Sequence, residues 1–370
     1  MRQGSLIASE TGLAPRPPVR ARAPLRLGLA GGGTDLSPYC DIYGGAALNV
    51  TIDRYAHAYV GPASDQAGGP AGGGVRLHAA DLDVRESYAP GDPLDAGRLR
   101  LHRAVHKRFM DDLFGGAFVD LAVTTSVDSP PGSGLGSSSA LVVALVEAYR
   151  AYFDVPLDPY QVARLAFDIE RIDLGLAGGR QDQYAAVFGG LNFIEFHSDE
   201  RVIVNPLRAR QQILDEFEAS LVVCFSGQSR ESATIIEAQQ AGMKAADQGA
   251  LEALHALKDD ALAMKAALLS GKLADMADIL NRSWAAKQRT APATGIATDL
   301  IVELQRIGAA AGARASKVSG AGGGGFVMFM IAPELRQGLI QALTGAGSEA
   351  SAVRFTRHGA QSWQRLAHSL

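Results

Sequence analysis

Pro130-Pro131-Gly132-Ser133-Gly134-Leu135-Gly136-Ser137-Ser138-Ser139-Ala140 runs directly into the apolar stretch Leu141-Val142-Val143-Ala144-Leu145-Val146. Glycine lets a backbone turn tightly and approach a ligand closely. The hydroxyl cluster then opens a helix, whose unpaired N–H groups and partial positive charge suit a polyphosphate. Phe118-Val119-Asp120-Leu121-Ala122-Val123 reads as the strand ahead of the loop. Ser137 and Ser138 supply hydroxyls for phosphate or a hard cation. The Gly-Lys-Ser/Thr ending of the common nucleotide loop is absent. Charge neutralisation therefore has to come from a metal and from residues elsewhere.

The rest of the chain bounds the reading. Its 370 residues suit one large or two ordinary domains, and 47% hydrophobic with 20% charged residues is a globular composition. A net charge of −4 without a basic run argues against nucleic acid as a partner. Cys40 and Cys224 make no disulfide framework, which favours a reduced, cytoplasmic setting. Neither a signal peptide nor a membrane anchor is read in the first twenty residues, and no apolar run approaches the ~20 residues of a membrane span. Residues 1–20, with Ala14-Pro15-Arg16-Pro17-Pro18, read as a flexible tail.

Strands are expected at 25–29, 46–52, 55–60, 191–196, 221–225 and 326–330. Helices are expected at 99–114, 157–172, 245–289 with a break near Gly271, and 299–311. Pro62 to Gly74 reads as a solvated loop. A composition shift after Pro206 places a boundary near residue 210, dividing the chain into residues 21–210 and 211–370.

Three further constellations carry chemistry. Pro24 to Asp35 ends a strand in small residues and the pair Thr34-Asp35, which can offer a hydroxyl and a carboxylate to a polyol; an ordinary strand turn is the competing reading. Glu170, near a helix end, and Asp182, after Gly178-Gly179-Arg180-Gln181, can divide labour between holding a metal and deprotonating a hydroxyl. A solvated helix edge competes there. Lys317-Val318-Ser319-Gly320-Ala321-Gly322-Gly323-Gly324-Gly325 exposes backbone N–H groups between a helix and a strong strand.

Together, in this order, the Pro24–Asp35 segment, the Pro130–Ala140 loop and the Lys317–Gly325 loop resemble the GHMP kinases over residues 21–370. Within that family, Arg26-Leu27-Gly28-Leu29-Ala30-Gly31-Gly32-Gly33-Thr34-Asp35 and Ile169-Glu170-Arg171 … Gly178-Gly179-Arg180-Gln181-Asp182-Gln183-Tyr184 are similar to the bacterial heptose 7-phosphate kinases. Galactokinases usually carry Gly-Glu-His-Thr-Asp where Gly32-Gly33-Thr34-Asp35 stands here. The resemblance implies an α+β, two-domain fold, with a ribosomal-protein-like N-terminal domain and a ferredoxin-like C-terminal one. It implies ATP on Pro131, Gly132, Gly134, Leu135, Gly136, Ser137, Ser138 and Ser139, steadied by Gly322 and Gly323. It further implies Mg²⁺ at Ser138 and Glu170, Asp182 as the catalytic aspartate, and Arg26, Thr34 and Asp35 around the sugar.

The activity so implied is transfer of a phosphoryl group from ATP to the anomeric hydroxyl of a heptose 7-phosphate, a small-molecule sugar phosphate. A 7-phosphate needs cations. Arg180, two residues from Asp182, is the favoured one; Arg230, Lys287 and Arg289 are the others. Fucokinases share much of the pattern, so a free-sugar kinase is the alternative, with a non-catalytic sugar sensor more remote. Gly31-Gly32-Gly33 lacks the spacing of a dinucleotide fingerprint. A homodimer is compatible with the reading.

Overall fold

The computed structural model describes residues 16–63, 74–227, 232–245 and 247–365. Its strands are β1 (Val19–Ala30), β2 (Gly45–Pro62), β3 (Val75–Ala79), β4 (Val84–Tyr88), β5 (Leu121–Val127), β6 (Leu191–Phe196), β7 (Val202–Pro206), β8 (Leu221–Phe225), β9 (Ala315–Val318), β10 (Phe326–Met330), β11 (Glu349–Ala352) and β12 (Gln361–Gln364).

The expected strands 46–52 and 55–60 are one strand, β2, of 18 residues. It stays continuous because each half has its own second neighbour. The first half pairs with β6 and the second with β5, while β1 runs along both. β1 bends over this long partner through register shifts at Pro24/Arg26 and Gly28/Ala30. Pro24 has no N–H to give the ladder, which accounts for the first shift. The first sheet runs β12-β1-β2-β5-β3-β4, with β6 and β7 attached to β2.

The helix Ser137–Phe153 packs against β1 and β2. Ala140, Val142, Val143, Leu145, Val146 and Tyr149 on it are all buried, as are Leu25, Leu27 and Leu29 of β1. Each large aliphatic side chain so buried contributes about 1.5–3 kcal/mol. The site therefore stands on a buried core.

β8 to β11 form a second, antiparallel sheet in the order β11-β8-β10-β9. Leu221, Val223, Phe326, Met328 and Met330 join the core beneath the first sheet. Val222, Cys224, Val327 and Phe329 join a second core with Ile301, Leu304, Leu339 and Leu343. Burial on both faces is why these strands read as unbroken apolar runs. The helix Gln248–Leu269 crosses back to pack on β1 and β2, and β12 pairs with β1.

Several expected boundaries move. β5 begins at Leu121, and Phe118 is exposed. Ordered β1 begins at Val19, two residues before Ala21. Residues 1–15 of the expected tail and 64–73 of the expected loop lie outside the described residues. The helix expected at 99–114 is α-helical over Arg100–Arg108 and π-helical over Phe109–Leu113. The helix expected at 157–172 starts at Pro159, behind a capping box between Asp158 and Gln161, and widens to a π-turn over Asp168–Asp173. Such widened turns recur at functional sites, and this one carries Glu170. Among the described residues no helix is long and apolar enough to cross a membrane.

Candidate active site

Gly136 caps the helix Ser137–Phe153 with φ +75°, and no side chain closes that cap. The first N–H groups of the helix are thus left for an anion. They face a cavity of about 540 Å³ lined by Pro131, Gly132, Gly134, Gly136, Ser137, Ser138 and Ser139 on one side. Arg26, Asp35, Arg100, Glu170, Arg171, Gln181, Asp182, Gln239 and Lys287 make the rest of the polar wall, with Gly32 and Gly33.

The two glycine loops hold each other in place. A Cβ on Gly134, at φ +76°, would collide with the Ser319 carbonyl, and one on Gly325, at φ +81°, with that of Ser133. Phe326 N donates to Ser133 O at 2.8 Å, and Ser319 Oγ donates to Gly134 O at 3.0 Å. Backbone lies on backbone at this seam, which only glycine permits.

Arg26 organises the catalytic side. Its Nη1 donates to Gly134 O at 2.6 Å, and its Nε donates to Asp182 Oδ1 at 2.8 Å. Nη2 lies 2.7 Å from the same oxygen. One guanidinium thus ties β1, the phosphate loop and the start of the helix Gln181–Phe188 together. Asp35 does the same from the next turn. Its Oδ1 accepts from Gly33 N at 3.1 Å and its Oδ2 from Gln181 N at 3.1 Å.

Glu170 is 1% exposed. Its Oε1 accepts from Ser138 Oγ at 2.6 Å, and its Oε2 from Ser139 Oγ and Gln183 Nε2, both at 2.7 Å. Arg171 Nη1 stands 3.4 Å from Oε1. Mg²⁺ takes hard oxygen ligands and needs only one or two carboxylates beside phosphate oxygens. The Ser138–Glu170 pair, lining the cavity beside the phosphate loop, fits that requirement.

The structure places five of the expected site residues away from the cavity wall. Thr34 does not line the cavity; it is fully buried, and its hydroxyl bonds with Gly31 O at 2.8 Å, Ala46 O at 2.9 Å and Ala46 N at 3.0 Å. Leu135 turns its side chain into the core and gives only its carbonyl, to Arg26 N at 2.9 Å. Gly322 and Gly323 stand against Ile296, with Gly323 N donating to Ile296 O at 2.8 Å; Gly320 and Ala321 reach the cavity instead. Arg180 is not in the cavity wall. Its guanidinium lies 5.8 Å from the centre of the Phe167 ring, and Nη2 donates to Asp41 at 3.2 Å. Residues two apart at a helix start project about 200° apart, so proximity to Asp182 in sequence sends Arg180 elsewhere.

Trp284 belongs to the second core, Arg289 is exposed, and Arg230 lies outside the described residues. Lys287 is buried in the cavity wall. Sequence reasoning missed roles for Arg100, Arg171, Gln183 and Gln239. Gln183 sits beside Asp182, which is a signal that could have found it; Gln239, on an unremarkable amphiphilic helix, gives none.

A second buried lysine supports the site from behind. Lys317 Nζ donates to Gly28 O at 3.0 Å and Leu29 O at 3.1 Å. Burial pushes it down from 10.5 to about 7, with Lys287 and Arg26 adding repulsion. A group that holds its proton more weakly in the folded chain costs stability at low pH, and the cost is relieved as pH rises through the folded value. Stability should therefore climb from pH 7 to 9, by about 1–2 kcal/mol. Above 9 the buried thiols Cys40 and Cys224, raised by burial to about 12 and about 11, oppose the trend. Urea unfolding at pH 7, 8 and 9 checks this; Lys317→Met should make the climb shallower, leaving the share of Lys287, which burial lowers to about 8, and an equally steep climb without Lys317 would refute it.

Family models for the GHMP kinases match this chain at residues 100–190, for the N-terminal domain, and 264–348, for the C-terminal domain. A D-glycero-alpha-D-manno-heptose 7-phosphate kinase of Campylobacter jejuni is 39% identical over 94% of this chain and 99% of its own. A crystal structure described as a D-glycero-D-manno-heptose 1-phosphate kinase from Bacteroides thetaiotaomicron superposes with a TM-score of 0.76 at 38% identity, covering 94% of this chain and 100% of that one. A bifunctional fucokinase/GDP-fucose pyrophosphorylase of Arabidopsis thaliana is 27% identical over 86% of this chain but only 31% of its own.

Proposed function

This chain belongs to the GHMP kinases, and we propose that it transfers the γ-phosphoryl group of ATP to the anomeric hydroxyl of D-glycero-D-manno-heptose 7-phosphate, giving ADP and the 1,7-bisphosphate. The observation that carries the reading is the near full-length match to a relative named for that acceptor. The site geometry supports the chemistry.

The hydroxyl oxygen bonds to the γ-phosphorus as the bond to the β-phosphate oxygen breaks. Such transfer is mostly positioning and charge neutralisation. The N–H groups opening the helix Ser137–Phe153 face the phosphates. Ser138 and Glu170 would hold Mg²⁺, whose positive charge would offset that of the phosphates. Asp182 receives the hydroxyl proton. Both Arg26 contacts fall on Oδ1, which leaves Oδ2 as the accepting atom. An anomeric hydroxyl is more acidic than an ordinary alcohol, so a carboxylate suffices as base.

ATP consumption with Mg²⁺ tests the acceptor. The heptose 7-phosphate should exceed L-fucose, D-mannose and D-galactose at equal concentration by at least ~10-fold, a selectivity that one buried polar recognition supports. Preference for L-fucose would install the second reading, which the fucokinase match favours. It would leave Asp182 and Glu170 in their roles.

A further inference from the structure

Four cations line the cavity among the described residues: Arg26, Arg100, Arg171 and Lys287. Arg26 is bound to Asp182, and Arg171 pairs with Glu170. Arg100 is exposed and reaches the Leu174 carbonyl. Lys287 differs from all three. It is 5% exposed, has no carboxylate within ion-pair distance among the described residues, and donates from Nζ to a single acceptor, Gly32 O, at 3.1 Å. An ammonium carries three donors, and a buried charge without a partner is costly. Burial lowers its affinity for the proton to about 8, opposed by Asp35 and Asp182, so it is mostly charged at neutral pH.

Gln239 lines the same cavity, and it lines a smaller one together with Gly33, against which Lys287 Nζ stands. It is 2% exposed, and its Oε1 is buried without a partner among the described residues. The amide orientation is fixed by its neighbour. Thr290 Oγ1 gives its proton to Lys287 O at 2.7 Å, so it can only accept from Gln239, whose Nε2 stands 2.5 Å away. The cavity lining thus holds an underused cation and an underused acceptor, linked through Thr290. Both come from the C-terminal half of the chain, whereas the phosphate loop comes from the N-terminal half. A polyol phosphate offers the complements of both: an anion and hydroxyl donors.

We propose that Lys287 binds the acceptor's own phosphate, with Gln239 Oε1 accepting from one of the acceptor's hydroxyls. This rests on the reading of the acceptor as a sugar phosphate. It replaces Arg180, which faces Asp41, as the phosphate cation.

The test compares kcat and KM for heptose 7-phosphate, the unphosphorylated heptose and ATP in wild type, Lys287→Gln and Lys287→Met. Lys287→Gln keeps an N–H on a side chain one atom shorter and removes the charge. It should raise KM for the sugar phosphate by ~10- to 100-fold, the loss of a charge-assisted hydrogen bond. KM for the free heptose and for ATP should stay within about 3-fold, because neither places a phosphate at Lys287. Lys287→Met should act alike, and Gln239→Leu should weaken both acceptors equally, because it touches a hydroxyl common to them. Equal losses for both acceptors in Lys287→Gln, or no loss, overturn the assignment while leaving the kinase reading intact. A wild type that prefers the free sugar overturns the reading, and the assignment with it. Should Lys287→Met not fold, calorimetric titration of heptose 7-phosphate and of the free heptose into Lys287→Gln without ATP separates the same outcomes: weakened binding of the phosphate alone upholds the assignment, and equal or no weakening overturns it.

Discussion

Asp182→Asn should lower turnover by at least ~10²-fold, the effect of removing a positioned base. The expectation comes from how tightly the carboxylate is placed. Arg26 holds Oδ1 through two nitrogens, at 2.8 and 2.7 Å, and is itself 4% exposed and anchored to Gly134 O. Asparagine preserves the shape and one acceptor oxygen for Arg26. It replaces Oδ2 with an amide nitrogen that cannot take a proton. The loss should therefore appear in kcat, with KM for ATP nearly unchanged, because the phosphate loop does not depend on that atom. Steady-state kinetics on a variant shown by circular dichroism to be folded decides it. Near-normal turnover would remove Asp182 from the chemistry and leave the Arg26–Asp182 pair as a strut between β1 and the helix Gln181–Phe188.

What was legible in the sequence follows from what spacing encodes. The loop at 130–140 shows itself because glycine, hydroxyl and apolar residues change over within a few positions, and that local order survives folding. Glu170 and Asp182 were legible as a pair, but not the wall they share. Thr34 looked like a sugar ligand because a hydroxyl beside a carboxylate suits a polyol. Its full burial against Ala46 is a long-range fact that no local pattern carries. Gly322 and Gly323 sit in a run of small residues with no phase, so the sequence could not say that Gly320 and Ala321 face the cavity. Lys287 lies in the last turn of the helix Leu273–Arg289, among Ala286, Gln288 and Arg289, where a lysine reads as solvated. Only the packing of that helix against the Gly31–Gly33 turn buries it.

The same contrast between local and assembled chemistry governs Glu170. Glu170→Gln should raise the Mg²⁺ concentration for half-maximal rate by ~10- to 100-fold, as loss of a metal-site partner does, with part of the rate restored at high Mg²⁺. The carboxylate gathers two serine hydroxyls and the Gln183 amide on its two oxygens, with Arg171 alongside. Glutamine can satisfy one side of that set. Its amide nitrogen must then face a donor, Arg171 or Gln183, so the serine hydroxyls at the helix start lose their common acceptor. The charge lost also leaves Arg171 beside the phosphate loop without its counter-ion, a substitute cation that would strengthen nucleotide binding while weakening metal binding. KM for ATP should therefore fall or hold steady as the Mg²⁺ requirement climbs, a split that general unfolding would not produce. Titrating Mg²⁺ at fixed saturating ATP measures it directly. An unchanged Mg²⁺ dependence with a uniform loss of rate would make Glu170 a buried organiser of Ser138 and Ser139 and place the metal on the nucleotide alone.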